Sequence, residues 1–483
     1  MDGDVGHFVL VPFPAQGHII PMVDFGRVLA GRGMQVSLIT TPFNLSRLQS
    51  TVDRIGKSGL SLDFISLKFP GKEVGLPKDC ESVDVLPPSS DFERKTDFIV
   101  RFFKGVAMLA EPLEAYIRQN QQKNPNIPTI MITDFFNPWT RKISEKIGFP
   151  RFVFYSVCCY TLISDRIFSR GDLSGADDAI SDLEVPRLTE NMFFPLPEFE
   201  YMRSEVMDSD ESADGILVNT FYELEPMFIE RYRKMTGKKI WPVGPVSLCN
   251  KEIEDKAVRG SRSLVDDDKI LDFLDSMAPK SVVYFSLGSM TMISVIQLKE
   301  IGKGLEAAGH PFIWVIRYDP DDPDDPDEVE EWLREDGLEE RTKMRSLIIK
   351  GWAPQILILS HPSTGAFFTH CGWNSSLEGI SFGVPMITWP CFADQFANGR
   401  FITEVAKIGV GIGVTEIIFL QNYTVECETI KKAVERMIDD GEEMRKRALD
   451  LSEAAKIAFD VGGSSHTNTS LFLQKSLTRV ADS

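Results

Sequence analysis

The chain has 483 residues, 43% of them hydrophobic, and a formal net charge of −19 at pH 7. That length and apolar content suffice for two or three domains with full cores, and the acidic balance excludes nucleic acid and anionic membrane as partners, since both need a basic face. Seven cysteines without CxxC spacing read as reduced thiols of a cytoplasmic protein rather than a disulfide framework, with the adjacent Cys158 and Cys159 as core filler. Residues 1–13, MDGDVGHFVLVPF, are acidic and enter a strand directly, unlike a signal peptide. Nowhere does an apolar run reach the roughly 20 residues that span a bilayer.

In chain order, a strand at residues 7–13, the loop Pro14-Ala15-Gln16-Gly17-His18, a helix at 20–32 and a strand at 34–40 make a βαβ unit of a parallel sheet. The loop is not GxGxxG, which argues against a dinucleotide site and so against a nicotinamide-dependent oxidoreductase. His18 sits where the first strand hands over to the first helix. A lone histidine is more often structural, so its place at the sheet's carboxyl edge is what singles it out. Residues 62–67 predict a third strand, and 96–119 one long amphipathic helix. A strand at 129–133 ends in Asp134-Phe135-Phe136. Asp134 reads either as the cap of the helix that follows or as a carboxylate that reaches the His18 imidazole and fixes its tautomer. Strands at 151–155, 215–220 and 238–243 follow, and the polar, aperiodic stretch 247–263 suits an interdomain linker.

The second half restarts the α/β pattern at 281–286, after which Leu287-Gly288-Ser289 repeats the strand–glycine–hydroxyl arrangement. A strand at 311–317 precedes the acidic run 319–331, DPDDPDDPDEVEE, whose prolines preclude a regular helix or central strand and which reads as a solvated loop. At 365–369 an apolar run predicts a buried strand, His370-Cys371-Gly372-Trp373 turns the chain, and a helix follows from Asn374, with Asn374, Ser375 and Ser376 all capping types. Such a strand–turn–helix presents free backbone N–H groups and the positive end of a helix dipole, a ready phosphate site. A strand at 385–388 leads through residues 389–393 to Asp394 and Gln395, at the kind of strand end where open α/β sheets bind ligands. Residues 409–413 read as a glycine-rich strand, 424–440 and 444–459 as helices, and 462–465 breaks the last helix off before 470–477.

Residues 352–395, from Trp352 to Gln395 with His370-Cys371-Gly372-Trp373-Asn374-Ser375 and Asp394-Gln395 in place, closely resemble the donor-binding signature of plant secondary-product UDP-glycosyltransferases. The resemblance covers nearly the whole chain, including Asn219, Glu223 and WPVGP at 241–245. It implies the α/β GT-B fold, two Rossmann-like domains whose parallel sheets face each other across a cleft. The implied division is an acceptor-binding domain at 1–246, a linker at 247–263, a UDP-sugar-binding domain at 264–460, and a segment at 461–483 packing back on the first domain. The acidic run is then no metal-binding DxD of the other major glycosyltransferase fold.

The resemblance also assigns roles. His18 is the catalytic base and Asp134 its orienting partner. Trp352 stacks on uracil, the Ala353 backbone bonds its edge, and Gln355 and Glu378 hold the ribose. Ser289, His370, Asn374 and Ser375, with the backbone from Gly372 into the helix, meet the phosphates, so that no metal or cofactor is needed. Trp373, Asp394 and Gln395 bind the sugar hydroxyls; a terminal Gln points to UDP-glucose as co-substrate, and Trp in place of Arg disfavours glucuronic acid. Direct displacement implies inversion. Phe13, Phe92, Phe135, Phe136 and Phe392 are candidates to line an apolar acceptor pocket for a triterpenoid, steroid or flavonoid, and GLPKDCE at 75–81 is one cue to that class. The implied partners are a UDP-sugar and a small apolar acceptor, with the chain a monomer. A non-catalytic binding protein of the same fold would lack His18 or Asp134, and both are present.

Overall fold

The computed structural model describes residues 5–87, 92–170, 197–261, 263, 265–291, 293–316, 327–416 and 424–481. Two parallel sheets organise it. The first holds β1 (His7–Val11), β2 (Gln35–Thr40), β3 (Leu62–Ser66), β4 (Thr129–Asp134), β5 (Arg151–Tyr155), β6 (Gly215–Val218) and β7 (Ile240–Pro242), in the order β3-β2-β1-β4-β5-β6-β7. The second holds β8 (Val282–Ser286), β9 (Phe312–Ile316), β10 (Ser346–Lys350), β11 (Thr364–Thr369), β12 (Met386–Thr388) and β13 (Gly409–Gly411), in the order β10-β9-β8-β11-β12-β13. Helices cover both faces, so the central strands are buried throughout and read as continuous apolar runs such as HFVLV and VVYFS. The family-typical pair of Rossmann-like halves expected above is what forms.

Strand order reverses direction once in each sheet, between β1 and β4 and between β8 and β11. Val11 pairs with Thr133 at the first switch, and Ser286 with Thr369 at the second. The loops leaving those four strands diverge to opposite sides of the sheet and leave a crevice at each switch.

Several elements differ from expectation, each for a local reason. The first helix starts at Gln16 rather than at residue 20, placing His18 in its first turn. The long helix at 96–119 is two, Phe92–Ala107 and Ala110–Lys123; Pro112 has no N–H for the carbonyl of residue 108, and the helix breaks at that carbonyl. Only part of the acidic run lies within the described residues. There Asp327–Asp336 is helical, against the loop reading, because Val329, Trp332 and Leu333 bury one face beyond the last proline. The described residues of the linker include the short helices Val246–Cys249 and Ile253–Ala257, and its Asp255 pairs with Arg27 at 3.1 Å and Arg54 at 2.8 Å. β10 went unread in the sequence; its five residues, flanked closely by the signature, carry too short a pattern.

The last helix, Ser464–Ala481, returns to the first sheet. Its Phe472 is fully buried, with ring centroids 4.9 Å from Phe152, 5.6 Å from Trp241 and 6.0 Å from Phe8. Among the described residues no helix is long and apolar enough to cross a membrane. Phe472→Ala should cost about 3–5 kcal/mol, the usual loss for a buried phenylalanine, read as a lowered urea midpoint at unchanged slope. A loss below about 1 kcal/mol would show that the returning helix does not hold this core.

Candidate active site

The first switch point places a histidine against a carboxylate. His18 Nδ1 lies 2.8 Å from Asp134 Oδ2, and Asp134 Oδ1 accepts the Phe136 amide at 2.9 Å. Both carboxylate oxygens are thus engaged. Asp134 is not the cap of the next helix, which begins only at Thr140. The ionised carboxylate can only accept, so Nδ1 carries the proton and Nε2 keeps its lone pair. The imidazole remains part-exposed while Asp134 is fully buried. Around the ring stand Phe13, Phe135 and Phe136, with centroids 5.4, 5.5 and 5.5 Å away.

Those aromatics extend into a wall. Phe13 stacks on Phe103 at 5.2 Å, and Phe135 on Tyr155 at 4.6 Å. Phe103 and Tyr155 were missed in the sequence; Phe103 was legible only as part of an amphipathic helix, and Tyr155 only as the last residue of a buried strand. Half-buried Phe392 packs against the core of the second sheet. The side chain of Phe92 lies outside the described residues.

The second switch point holds His370. Its ring sits between two backbones, since a Cβ at Gly288 or Gly372 would stand 2.6 or 2.5 Å from it. Gly288 also has φ +76°, a conformation that glycine adopts without strain. Burial pushes the imidazole down to about 4, so it is neutral at pH 7. Half-buried Ser289 leaves β8 beside it. Two non-glycine residues of these loops, Cys371 (φ +65°) and Ala393 (φ +52°), are held in the left-handed region, at a cost of about 1–3 kcal/mol each.

The signature helix is Trp373–Ser381, and its cap is Gly372 rather than Asn374, Ser375 or Ser376. The polar residues are therefore free for other work. Asn374 Nδ2 donates to the Gly17 carbonyl, and its Oδ1 accepts from Asn219 at 3.2 Å. That carbonyl is available because Pro21, four residues on, has no N–H to claim it. The Trp373 indole is buried and donates to the Asn219 carbonyl at 2.8 Å. Its ring nitrogen is thus spent between the domains, while its backbone amide bonds the Asp394 carboxyl. Asn219, at the end of β6, ties both residues to the first domain.

The remaining signature residues form two groups. Gln355 Nε2 donates to Ser375 Oγ at 3.0 Å and Glu378 Oε2 at 2.7 Å, while Glu378 Oε1 meets Arg259 at 2.6 Å. Trp352 lies beside them with its indole N–H buried and without a partner, next to buried Ala353. Gln395 Oε1 accepts the amides of Cys391 and Phe392 at 2.8 and 3.1 Å, leaving only Nε2 to present. Asp394, its carboxyl raised by burial, accepts from Asn398 at 2.7 Å. Among the described residues no cluster of three or more His, Cys, Asp or Glu side chains is arranged to hold a metal ion.

The His370 ring, half-buried with its Nδ1 shut off from water, gives a direct check. Its Cε1–H resonance should hold still from pH 8 to pH 5, because protonation waits until about 4; a titration centred near the ordinary value of about 6.5 would mean the ring is hydrated.

Comparison with known proteins agrees with this geometry. Residues 218–456 match the profile of the UDP-glucoronosyl and UDP-glucosyl transferase family, and residues 6–248 that of a glycosyltransferase N-terminal domain. UDP-glycosyltransferase 73C2 of Arabidopsis thaliana is 41% identical, over 98% of this chain and 97% of its own. Among solved structures, Glycyrrhiza uralensis UGT73P12, complexed with glycyrrhetinic acid 3-O-monoglucuronide, superposes with a TM-score of 0.82 at 33% identity, over 99% of this chain and 98% of that one. Os79 from O. sativa, in complex with UDP, gives 0.76 at 26% identity, over 97% and 100%. With both switch points furnished as described and the relatedness running end to end, the chain is a member of the plant UDP-glycosyltransferase family and an enzyme of GT-B fold.

Proposed function

We propose that the protein transfers glucose from UDP-glucose to a hydroxyl of a small hydrophobic plant metabolite, with inversion and without a metal or cofactor, giving a β-O-glucoside. The observation that carries this is the His18–Asp134 pair inside an aromatic wall, facing the donor signature across the cleft. An acceptor hydroxyl placed at Nε2 loses its proton to the ring as its oxygen attacks the anomeric carbon. Asp134 keeps Nε2 as the basic nitrogen and stabilises the imidazolium that forms. The bond to the diphosphate breaks as the new one forms, so one displacement inverts the centre. His370, Ser289, Ser375 and the amides opening the signature helix would meet the charge that develops on UDP. His370 is neutral and therefore donates one proton there rather than a full positive charge. Asn374 has to exchange one of its interdomain bonds to join them.

Uracil would stack on Trp352 and the ribose would meet Glu378 and Gln355. For the sugar, Asp394 accepts and Gln395 donates through Nε2 alone. Glucose and galactose differ in the direction of one hydroxyl, so selection rests on pairing it. The acceptor wall, built from aromatic edges and faces, suits a flat or polycyclic skeleton: a triterpenoid, steroid or flavonoid. The bound glycyrrhetinic acid monoglucuronide of the Glycyrrhiza neighbour supports that class. All seven cysteines are free, in keeping with work in the reducing cytoplasm, and we take the chain to act as a monomer.

Incubation with UDP-glucose and an acceptor panel, followed by mass spectrometry, should give products 162 Da heavier than the acceptor, the mass of an added hexosyl residue by elementary stoichiometry, on the order of one hexose per turnover. His18→Ala should leave UDP binding nearly intact while transfer to alcohols falls about 100- to 10,000-fold; retention of over about a tenth of the activity would remove His18 as the base. Asp134→Asn should reduce turnover less, and a rise in activity would contradict the pairing. In competition at one fixed acceptor, UDP-glucose should be preferred over UDP-galactose by about 5- to 150-fold, the worth of one unpaired hydroxyl. Equal use of the two would reject the donor and leave the base untouched.

A further inference from the structure

We propose that Arg259, in the segment joining the two domains, is a positioning residue of the donor site: it sets the Glu378 carboxylate for the ribose and couples it to the helix that carries His18. This rests on the reading above that Glu378 receives the ribose.

The guanidinium is a rigid fork used at both prongs. Nε donates to Asp24 Oδ2 at 2.8 Å, and Nη1 lies 2.6 Å from Glu378 Oε1. Arg259 is 10% exposed at its side chain, Asp24 2% and Glu378 4%, so the three side chains are largely removed from water. Asp24 stands on the helix Gln16–Ala30, six positions after His18. One side chain thus spans from the helix of the base to the helix of the signature.

The residues on both sides of Arg259 are held, one through its backbone and one through its side chain. Thr51 Oγ1 donates to the Val258 carbonyl at 2.7 Å, and Arg47 Nε donates to Ser261 Oγ at 3.2 Å. Between them Gly260 has φ +89°, and a Cβ there would fall 2.4 Å from the Trp352 ring. Both residues assigned to the nucleoside, Trp352 and Glu378, therefore rest on this one segment. A carboxylate accepts about four hydrogen bonds. Arg259 and Gln355 take one on each Glu378 oxygen, which leaves one on each for two adjacent ribose hydroxyls. Arg259 and the ribose are therefore co-occupants of Glu378, not competitors.

The test compares UDP with 2′-deoxy-UDP by titration calorimetry on wild type, Arg259→Met and Arg259→Lys. Wild type should favour UDP by about 10-fold, the worth of one hydrogen bond to a charged group. In Arg259→Met that preference should fall to below about 3-fold and the KM for UDP-glucose rise about 10-fold, with kcat at saturating donor changed by less than about 3-fold. Arg259→Lys, which keeps the charge but not the fork, should fall between. Loss that is equal for the two nucleotides, or an unchanged preference, would overturn the proposal, since a merely structural arginine cannot tell them apart. If Arg259→Met does not fold, Asp24→Asn, isosteric and remote from the nucleoside, takes its place and must also shrink the preference. Wild type that binds UDP with no preference over its deoxy form would instead reject the ribose role of Glu378, and wild type that binds neither would reject the donor reading itself.

Discussion

The bond between His18 Nδ1 and Asp134 Oδ2 is the constraint around which the first domain is arranged. It joins residues 116 apart in sequence and exists only because β1 and β4 are neighbours in register, His7 beside Thr129 through Val11 beside Thr133. The strands end together, so the loop of one and the terminal carboxylate of the other meet at the sheet's edge. Burial of Asp134 makes the bond consequential: a carboxylate without water must be held by its two donors, and one of them is the ring. Shifting β4 by a single residue would turn Asp134 to the opposite face.

The boundary between the domains is bridged by the signature and by the residues just after it, where Thr161 donates to Asn398 at 2.8 Å and Tyr160 and Phe228 pack on Phe401. Asn374 takes hold of the Gly17 carbonyl that Pro21 leaves free, Trp373 and Asn374 both engage Asn219, and Arg259 links Asp24 with Glu378. Residues that would handle the donor thus also help to set the distance between the half-sites. Polar groups buried at such a boundary are costly unless paired, and here pairing and domain alignment are one requirement. A nucleotide that enters has to be accommodated by this network, which makes binding and alignment of base and donor mutually dependent.

Much of this was legible in the sequence. The strand–loop–helix around His18, the turn at residues 370–373 and the positions of Asp134, Asp394 and Gln395 followed from apolar runs punctuated by glycine and polar residues, and the family likeness joined them into one site. Three things were not legible, for physical reasons. The partner of a side chain across the cleft has no signal in local periodicity, so Asn219, Arg259 and Asn374 read as a landmark, a linker residue and a cap. A helix boundary set by a missing N–H, as at Pro112, is visible only if the carbonyl it orphans is counted. The orientation of an amide such as Gln395 depends on the backbone N–H groups of Cys391 and Phe392, which only the folded turn brings to it. The aromatic wall shows a further limit: phenylalanines are abundant (33 of them), and the sequence does not say which line the acceptor site and which, like Phe472, fill a core.

The mechanism requires that a single displacement occur at the anomeric carbon with the proton leaving to His18. Stereochemistry tests it most directly. The product formed from α-linked UDP-glucose, isolated and examined by proton NMR, should show the large coupling between the protons on carbons 1 and 2 that marks a β-glucoside, from the first turnover and before any equilibration. A small coupling, the mark of an α-glucoside, would mean retention. It would require either a covalent glycosyl intermediate, and hence a second nucleophile on the donor's other face, or front-side attack, and would contradict the mechanism assigned to His18 and Asp134.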